Sequence, residues 1–525
     1  MRKMLLFMLL LIFISVLATV QSAHRVAGSS TNSVLHSSNN KQLLPTRLTV
    51  QNGEALAKLY CASCHLFPEP DLLDKLTWKD KVLPNMGWRM GIRTNASNPY
   101  NDIDSSEVPL IESLNVYPKN PIITKDNWQK IVNYYLSKAP VVPLPSAHPP
   151  LIMNRMSQFY ATPIFLGEKE LPKTSLLKFD TISSTLFVGD ATNELYALDK
   201  HLDILKKWVT PSAPVDIEFF KNKSPNTLCI GSIAPSEKKE GSLIALETSS
   251  YNNVYTNLAR PVFVQRADLN GDGREDLVMC QFGNHSGKLA WYEDADLKKE
   301  HILLNKPGSR KVEIIDMNQD GKLDIVVMMA QSNEGIYLFE NKGNNAFKLK
   351  PLVQFPPVYG VSYFELVDFD KDGHLDILMT NGDNWDISRV KKRFHGVRIL
   401  MNDGRNNFNE TFFFPMYGAS KAIARDFDGD GDIDIAAISF YDDLEKPEQG
   451  FIFLKNTGDA FFEATSIQDA ANGKWLTMEA ADIDQDGDTD IVLGSFIYSI
   501  SEMMSLINKG VSHFPQLLVL VNNKK

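Results

Sequence analysis

The stretch Asp316-Met317-Asn318-Gln319-Asp320-Gly321-Lys322-Leu323-Asp324-Ile325-Val326-Val327-Met328-Met329 decides the fold. Oxygen-bearing side chains stand at positions 1, 3, 5 and 9, and a glycine at 6 permits a sharp turn, so the loop can wrap a hard cation such as Ca²⁺. The apolar, β-branched run that starts at Asp324 reads as a buried strand. Four other segments repeat the pattern: Asp268, Asn270, Asp272 and Asp276; Asp368, Asp370, Asp372 and Asp376; Asp426, Asp428, Asp430 and Asp434; and Asp482, Asp484, Asp486 and Asp490. One copy would be a weak signal, whereas five make a repeat. An EF-hand would add glutamate at position 12, where this chain has Met279, Val327, Met379, Ala437 and Leu493. The loops therefore join strands and not helices.

First loop residues are spaced 48, 52, 58 and 56 positions apart, the period of a four-stranded propeller blade. Each unit also closes with a similar strand and turn: Leu338 to Gly343, Leu400 to Gly404, and Leu454 to Gly458. These units resemble the FG-GAP or VCBS repeats of integrin-type propellers and many exported bacterial proteins, and the resemblance implies an all-β propeller. Leu176 to Leu198 and Val215 to Leu246 keep the strand rhythm without the aspartates, which makes seven blades, the first two without metal. Leu517 to Val521 is expected as the third strand of the last blade, and Tyr160 to Leu166 as the segment that closes the ring.

Five bound Ca²⁺ would cancel the formal net charge of −10, and an acidic chain is a poor partner for nucleic acid. Successive hairpins alternate between faces. The turns after each second strand, including Asn284, His285, residues 381–385, 441–443 and 496–498, thus form a polar and aromatic rim opposite the calcium loops. That rim is either a ligand face for a polysaccharide or protein, or a set of ordinary solvated turns.

Upstream, Cys61-Ala62-Ser63-Cys64-His65 ends a helix-compatible stretch from Gly53. Two thiols at this spacing can form thioethers to one haem, with His65 held beneath the iron as proximal ligand. A zinc site would need a second ligand pair, and a redox dithiol a βαβ setting; neither accompanies the motif. Between residues 49 and 139 the only other histidine or methionine ligands on offer are Met86 and Met90. Leu83 to Met90 resembles the distal loop of small cytochromes c, which implies Met86 as second axial ligand and Met90 as a space-filling neighbour. Thr124 to Leu136 begins with an N-cap and carries Trp128, Ile131, Tyr135 and Leu136 on one helical face. It resembles the C-terminal helix of class I cytochromes c. The polar insert from Arg93 to Asn120 departs from that family and suggests no role.

Arg2 and Lys3, an apolar run from Met4 to Val20, and Gln21-Ser22-Ala23 have the layout of a secretory signal. The expected organisation is signal peptide 1–23, disordered tether 24–48, all-α cytochrome c domain 49–139, proline-rich linker 140–158 and propeller 159–525. The protein is thus expected outside the cytoplasm, in the periplasm, on the cell surface or secreted, or tethered to a membrane if the N-terminus stays uncleaved. Cys229 and Cys280 lie in strand-like runs and read as buried hydrophobes. The functional expectation is electron transfer through haem c to or from a redox partner protein, with the calcium-loaded propeller as docking module. The alternative is an oxidoreductase whose propeller oxidises a substrate and passes electrons to the haem. No nucleotide-binding glycine motif or histidine cluster points to a catalytic centre.

Overall fold

A computed structural model describes residues 52–93, 98–146, 150–154, 156–167, 171–383, 388, 390–441, 445–458 and 461–523. The signal, the tether, Trp385 and Asp443 lie outside the described residues. Among the described residues, no helix is long and apolar enough to cross a membrane.

A small helical region precedes an all-β propeller. Helix α1 (Gly53–Cys61) starts at Asn52, whose side chain accepts the Ala55 N–H at 2.9 Å. A short helical run from 75 to 82, capped by Asp74, leads into α2 (Leu83–Arg89); α3 (Val108–Ser113) and α4 (Lys125–Lys138) follow. Thr124 caps α4 by accepting the Asn127 N–H at 3.2 Å. Trp128, Ile131 and Tyr135 of α4 share a core with Leu56 and Ala57 of α1. The two helices cross so closely that a Cβ on Gly53 would lie 2.2 Å from the Lys130 carbonyl oxygen. Only glycine fits there.

Seven sheets follow: blades of four antiparallel strands over residues 174–209, 214–258, 261–304, 309–354, 361–415 and 419–465, and a seventh with three strands in 475–522 and its fourth from upstream. The first strands pack side by side around the axis and close the ring between blades 7 and 1. Blade 7 takes its third strand from Leu517–Asn522 and its outermost from Phe159–Ile164, with Phe159 opposite Asn522. Pairing the two ends of the propeller segment leaves no open blade edge at the seam. Second strands such as Asp324–Met329 and Asp490–Ser495 are buried at every position because blades cover both of their faces, so they read as continuous apolar runs. Cys229 and Cys280 sit on two of them, fully buried.

The linker was expected only to separate the domains, but Ile152–Met153 within it pairs in parallel with blade 6, Ile152 opposite Ala464. Ion pairs between first strands staple neighbouring blades: Lys178 with Asp216 at 2.7 Å, Arg266 with Glu218 at 2.9 Å, and Arg425 with Glu365 at 3.4 Å.

Candidate functional site

Two sets of residues carry chemistry. The first is the ring of acidic loops. Each joins the first and second strands of its blade, and the sixth residue has φ between +83° and +100° (Gly273, Gly321, Gly373, Gly431, Gly487), a left-handed turn that favours glycine. In four loops the first aspartate (Asp268, Asp316, Asp368, Asp426) accepts that glycine's N–H at 2.7–3.1 Å, which turns its carboxylate into the loop. Ligand oxygens of Asp368, Asp370 and Asp376 lie within 4.8 Å of one another, as do those of Asp426, Asp428 and Asp434, and those of Asp482, Asp484 and Asp486. An all-oxygen donor set crowded with like charges suits a hard divalent cation. Burial, with neighbouring carboxylates, pushes Asp434 up to about 7 and Asp490 up to about 6.

The ninth residue has a second role that spacing alone hides. In Asp276, Asp324, Asp376, Asp434 and Asp490, one carboxylate oxygen accepts the N–H of the loop's second residue, and the other accepts an N–H from the unit's third strand or the turn beyond it, all at 2.7–3.2 Å. In blades 4 to 7 that second donor is an asparagine: Asn341, Asn402, Asn456 or Asn522. Asn341 also donates its side-chain amide to the Leu269 carbonyl in the preceding blade at 2.8 Å, and Asn522 to Phe427 at 2.7 Å. The recurring Asn-x-Gly at Asn341, Asn402 and Asn456 was visible in the sequence, but the latch that Asn341 and Asn522 make to the preceding blade was not.

The second set is in the helical region. Cys61 and Cys64 are free, and His65 follows at the mouth of a cleft. The His65 Nδ1 lies 2.8 Å from the Leu66 carbonyl oxygen, which can only accept, so Nδ1 carries the proton and Nε2 keeps its lone pair. Burial lowers the pKa of His65 further below its ordinary value, which favours the neutral ligand form. Burial also pushes the Cys61 thiol up to about 11. Tyr135 donates to the Pro68 carbonyl at 2.9 Å and Trp78 to the Pro70 carbonyl at 2.8 Å, so the chain after the motif is fixed to the helical core.

Met86 lies on α2 and not on a loop, half-buried against the core that also holds Cys61. Met90 is buried in that core at the end of the helix. Beside Met86, the buried Asn85 Oδ1 has no hydrogen-bond partner. Cys61 and Met86 pack against one small core, with the orphaned Asn85 Oδ1 beside Met86, while Cys64 and His65 line the adjoining cleft; the chemistry of these thiol, imidazole and thioether groups fits a covalently held haem.

The helical region rests on the propeller face opposite the acidic loops, so the rim that read as either a ligand face or a set of solvated turns is partly covered. Glu107 accepts the Ser236 hydroxyl at 2.7 Å and the Glu237 N–H at 2.9 Å. Asp104 pairs with Lys238 at 2.8 Å, Asp71 with Arg393 at 2.6 Å, and the Tyr117 ring meets His285 edge-on at 6.0 Å. Val358 and Phe394 of the propeller join the helical core. The insert from Arg93 to Asn120, which suggested no role in the sequence, supplies Asp104, Glu107 and Tyr117 to this contact. A cleft of about 260 Å³ runs between residues 62–66 and the blade 4 residues Asn333, Glu334, Gln354 and Phe355.

The sequence signature described as an FG-GAP-like repeat matches residues 268–327, 316–379 and 426–493. No curated protein matches the chain. Many solved structures are similar to it, three of which follow. The Dos1 propeller has TM-score 0.41 and 9% identity, over 69% of this chain and 81% of its own. BBS1N, solved in complex with ARL6DN, has TM-score 0.45 and 8% identity over 71% and 99%. The WD40 domain of Neurospora crassa Pan2 has TM-score 0.41 and 9% identity over 71% and 99%. The chain thus has a small helical region followed by a seven-bladed FG-GAP-like β-propeller.

Proposed function

We propose that the chain transfers electrons through a c-type haem bound covalently to Cys61 and Cys64, with His65 and Met86 as axial ligands and Ca²⁺ bracing the five acidic loops of the propeller. The observation that carries this reading is the geometry of His65: its Nδ1 faces the Leu66 carbonyl oxygen, which leaves Nε2 to bind iron, one residue beyond a pair of thiols. A haem held by these residues would supply one-electron exchange, and His65 and Met86, by both binding the iron, would leave a substrate no site on it. The chain's own part is positional. The Leu66 carbonyl sets the tautomer, Tyr135 and Trp78 fix the segment after the motif, and α2 carries Met86. The propeller then serves as docking module for a redox partner outside the cytoplasm.

One observation favours a second reading, an oxidoreductase that feeds electrons to the haem from a substrate on the propeller: the motif faces the propeller across the cleft. A single preparation tests both. Purified full-length protein should retain haem through denaturation and acidic organic extraction, and Cys61→Ala with Cys64→Ala should lose it. Retention by the double variant overturns the site. The reduced protein should resist carbon monoxide, and Met86→Ala should bind it. Ready binding by the unaltered protein, with haem reduction by added substrate, would favour the enzyme.

A further inference from the structure

The cleft beside Cys64 and His65 is bounded on its other side by the propeller, at Asn333, Glu334, Gln354 and Phe355 of blade 4. This placement is held from several directions. The Asp104–Lys238 and Asp71–Arg393 pairs anchor it, Glu107 is buried on blade 2, and Phe394 stacks on Tyr359 at 4.4 Å within the shared core. The blade 4 wall also differs from an ordinary solvated turn. Ser332 has φ +56°, a conformation serine seldom adopts, and its hydroxyl is buried without a hydrogen-bond partner, as is Gln331 Oε1. Buried polar groups left unpaired are costly, so their clustering next to Asn333 calls for a ligand or a solvent network at that spot. Glu334 is buried behind them, one of its oxygens accepting the Gly360 N–H at 2.8 Å and the Val361 N–H at 3.2 Å, and Phe355 lies 5.2 Å from Tyr359.

We infer that the haem site is shared between the two domains: the turn 331–334 and the Gln354–Phe355 edge of blade 4 wall the haem on the Cys64 side and set its redox potential. The inference rests on the haem reading above. It assigns the propeller a direct part in the redox centre, beyond carrying the haem domain.

A test uses paired charges in the full-length holoprotein. Asn333 uses its backbone carbonyl to accept from Tyr337, so its side chain can be changed without removing a bond the turn relies on. Asn333→Asp should lower the midpoint potential, because a nearby negative charge favours oxidised iron, and Asn333→Lys should raise it. A purely structural disturbance would not reverse sign with the charge. The same pair at Asn409, on the outer strand of blade 5 towards the acidic loops, serves as the distant control, since charges more than about 10 Å apart through solvent are largely screened. The shifts at Asn333 should be opposite in sign and at least about threefold those at Asn409. If either Asn333 variant folds poorly, Gln354→Glu and Gln354→Lys repeat the comparison at the other wall. Shifts no larger than the control, in protein that holds covalent haem, overturn the shared site and leave the haem reading intact. Absence of covalent haem from the unaltered chain overturns both.

Discussion

The helical region and the propeller solve the same problem, holding loops in place, by opposite means. In the propeller the device repeats. A buried aspartate binds two backbone N–H groups in each of five blades, and in four of them an asparagine supplies one of those groups. In the helical region each device occurs once: one glycine at one helix crossing, one buried glutamate at the docking contact, one imidazole fixed by one carbonyl. Repetition spreads stability over the ring, so no single residue should be decisive there, whereas single substitutions in the helical region should have large local effects.

Gly53 gives the largest expected effect. A methyl group there meets backbone, the Lys130 carbonyl at 2.2 Å, and the Tyr134 Cβ at 2.9 Å, so neither helix can yield by a rotamer change. Overpacking costs about 1–3 kcal/mol in ordinary cores and more against backbone, enough to undo a region of this size. Gly53→Ala should abolish the cooperative melting of the helical region and leave the propeller transition in place. Calorimetry with two resolved transitions checks this, and loss of both would mean that the ring depends on the helices.

Lys392 sharpens the comparison at the join. Its side chain is buried near Asp74 of the helical region, with His395 on its own side, and donates to the Ser388 and Val390 carbonyls at 2.9 and 3.3 Å. Burial pushes it down to about 7, with Asp74 opposing. The folded chain therefore binds fewer protons than the unfolded chain between about pH 7 and the ordinary lysine value near 10.5, so stability should rise with pH across that window. The gain is up to about 4 kcal/mol by linkage. Lys392→Met should flatten the rise, as denaturant titrations at pH 7 and 10 would show. An unchanged slope would place the titrating group elsewhere.

The acidic loops allow their two roles to be separated. Asp376→Asn keeps one acceptor but turns an amide N–H₂ towards a backbone N–H, at a cost of about 1–3 kcal/mol whether or not calcium is present. Asp372→Asn changes a loop carboxylate and should matter only with calcium. Melting of both variants with added Ca²⁺ and with chelator gives the comparison. If chelation leaves the unaltered propeller's melting temperature unchanged, the calcium assignment fails, while the structural role of Asp376 still stands.

The same contrast explains what the sequence makes legible. The repeats, their number and the closing strand are visible because the same residue types recur at a blade period, and Leu517 to Val521 is an unpaired apolar run awaiting a partner. The cysteines and histidine are visible because their chemistry demands a fixed spacing. The docking contact is not, since Asp104, Glu107 and Tyr117 each meet a different partner more than 100 residues away and follow no pattern. Asn341 was visible only as part of a strand and turn, and Asn522 carried no signal, because the role of each depends on a carbonyl in the neighbouring blade. Met86 reads as a loop residue from Pro84, yet a proline in the first turn of a helix costs nothing, and α2 begins there.

The smallest expected effect tests whether the join owes its specificity to buried or to exposed charges. Lys238 and Asp104 pair with about 40% of each side chain exposed, the setting in which an ion pair contributes little and fades with salt. Glu107, by contrast, is 9% exposed and accepts two hydrogen bonds from blade 2, so Glu107→Ala leaves the Ser236 hydroxyl and the Glu237 N–H without their acceptor. Proteolysis within the proline-rich linker reports opening of the contact. Lys238→Ala should raise the cleavage rate less than about fivefold at low salt and hardly at all at high salt, whereas Glu107→Ala should raise it by more than tenfold under both conditions. Equal, salt-sensitive effects from the two substitutions would mean that the helical region is steered onto the propeller by surface charge alone, and the helical region would then share the ring's tolerance of single changes at the place where the two meet.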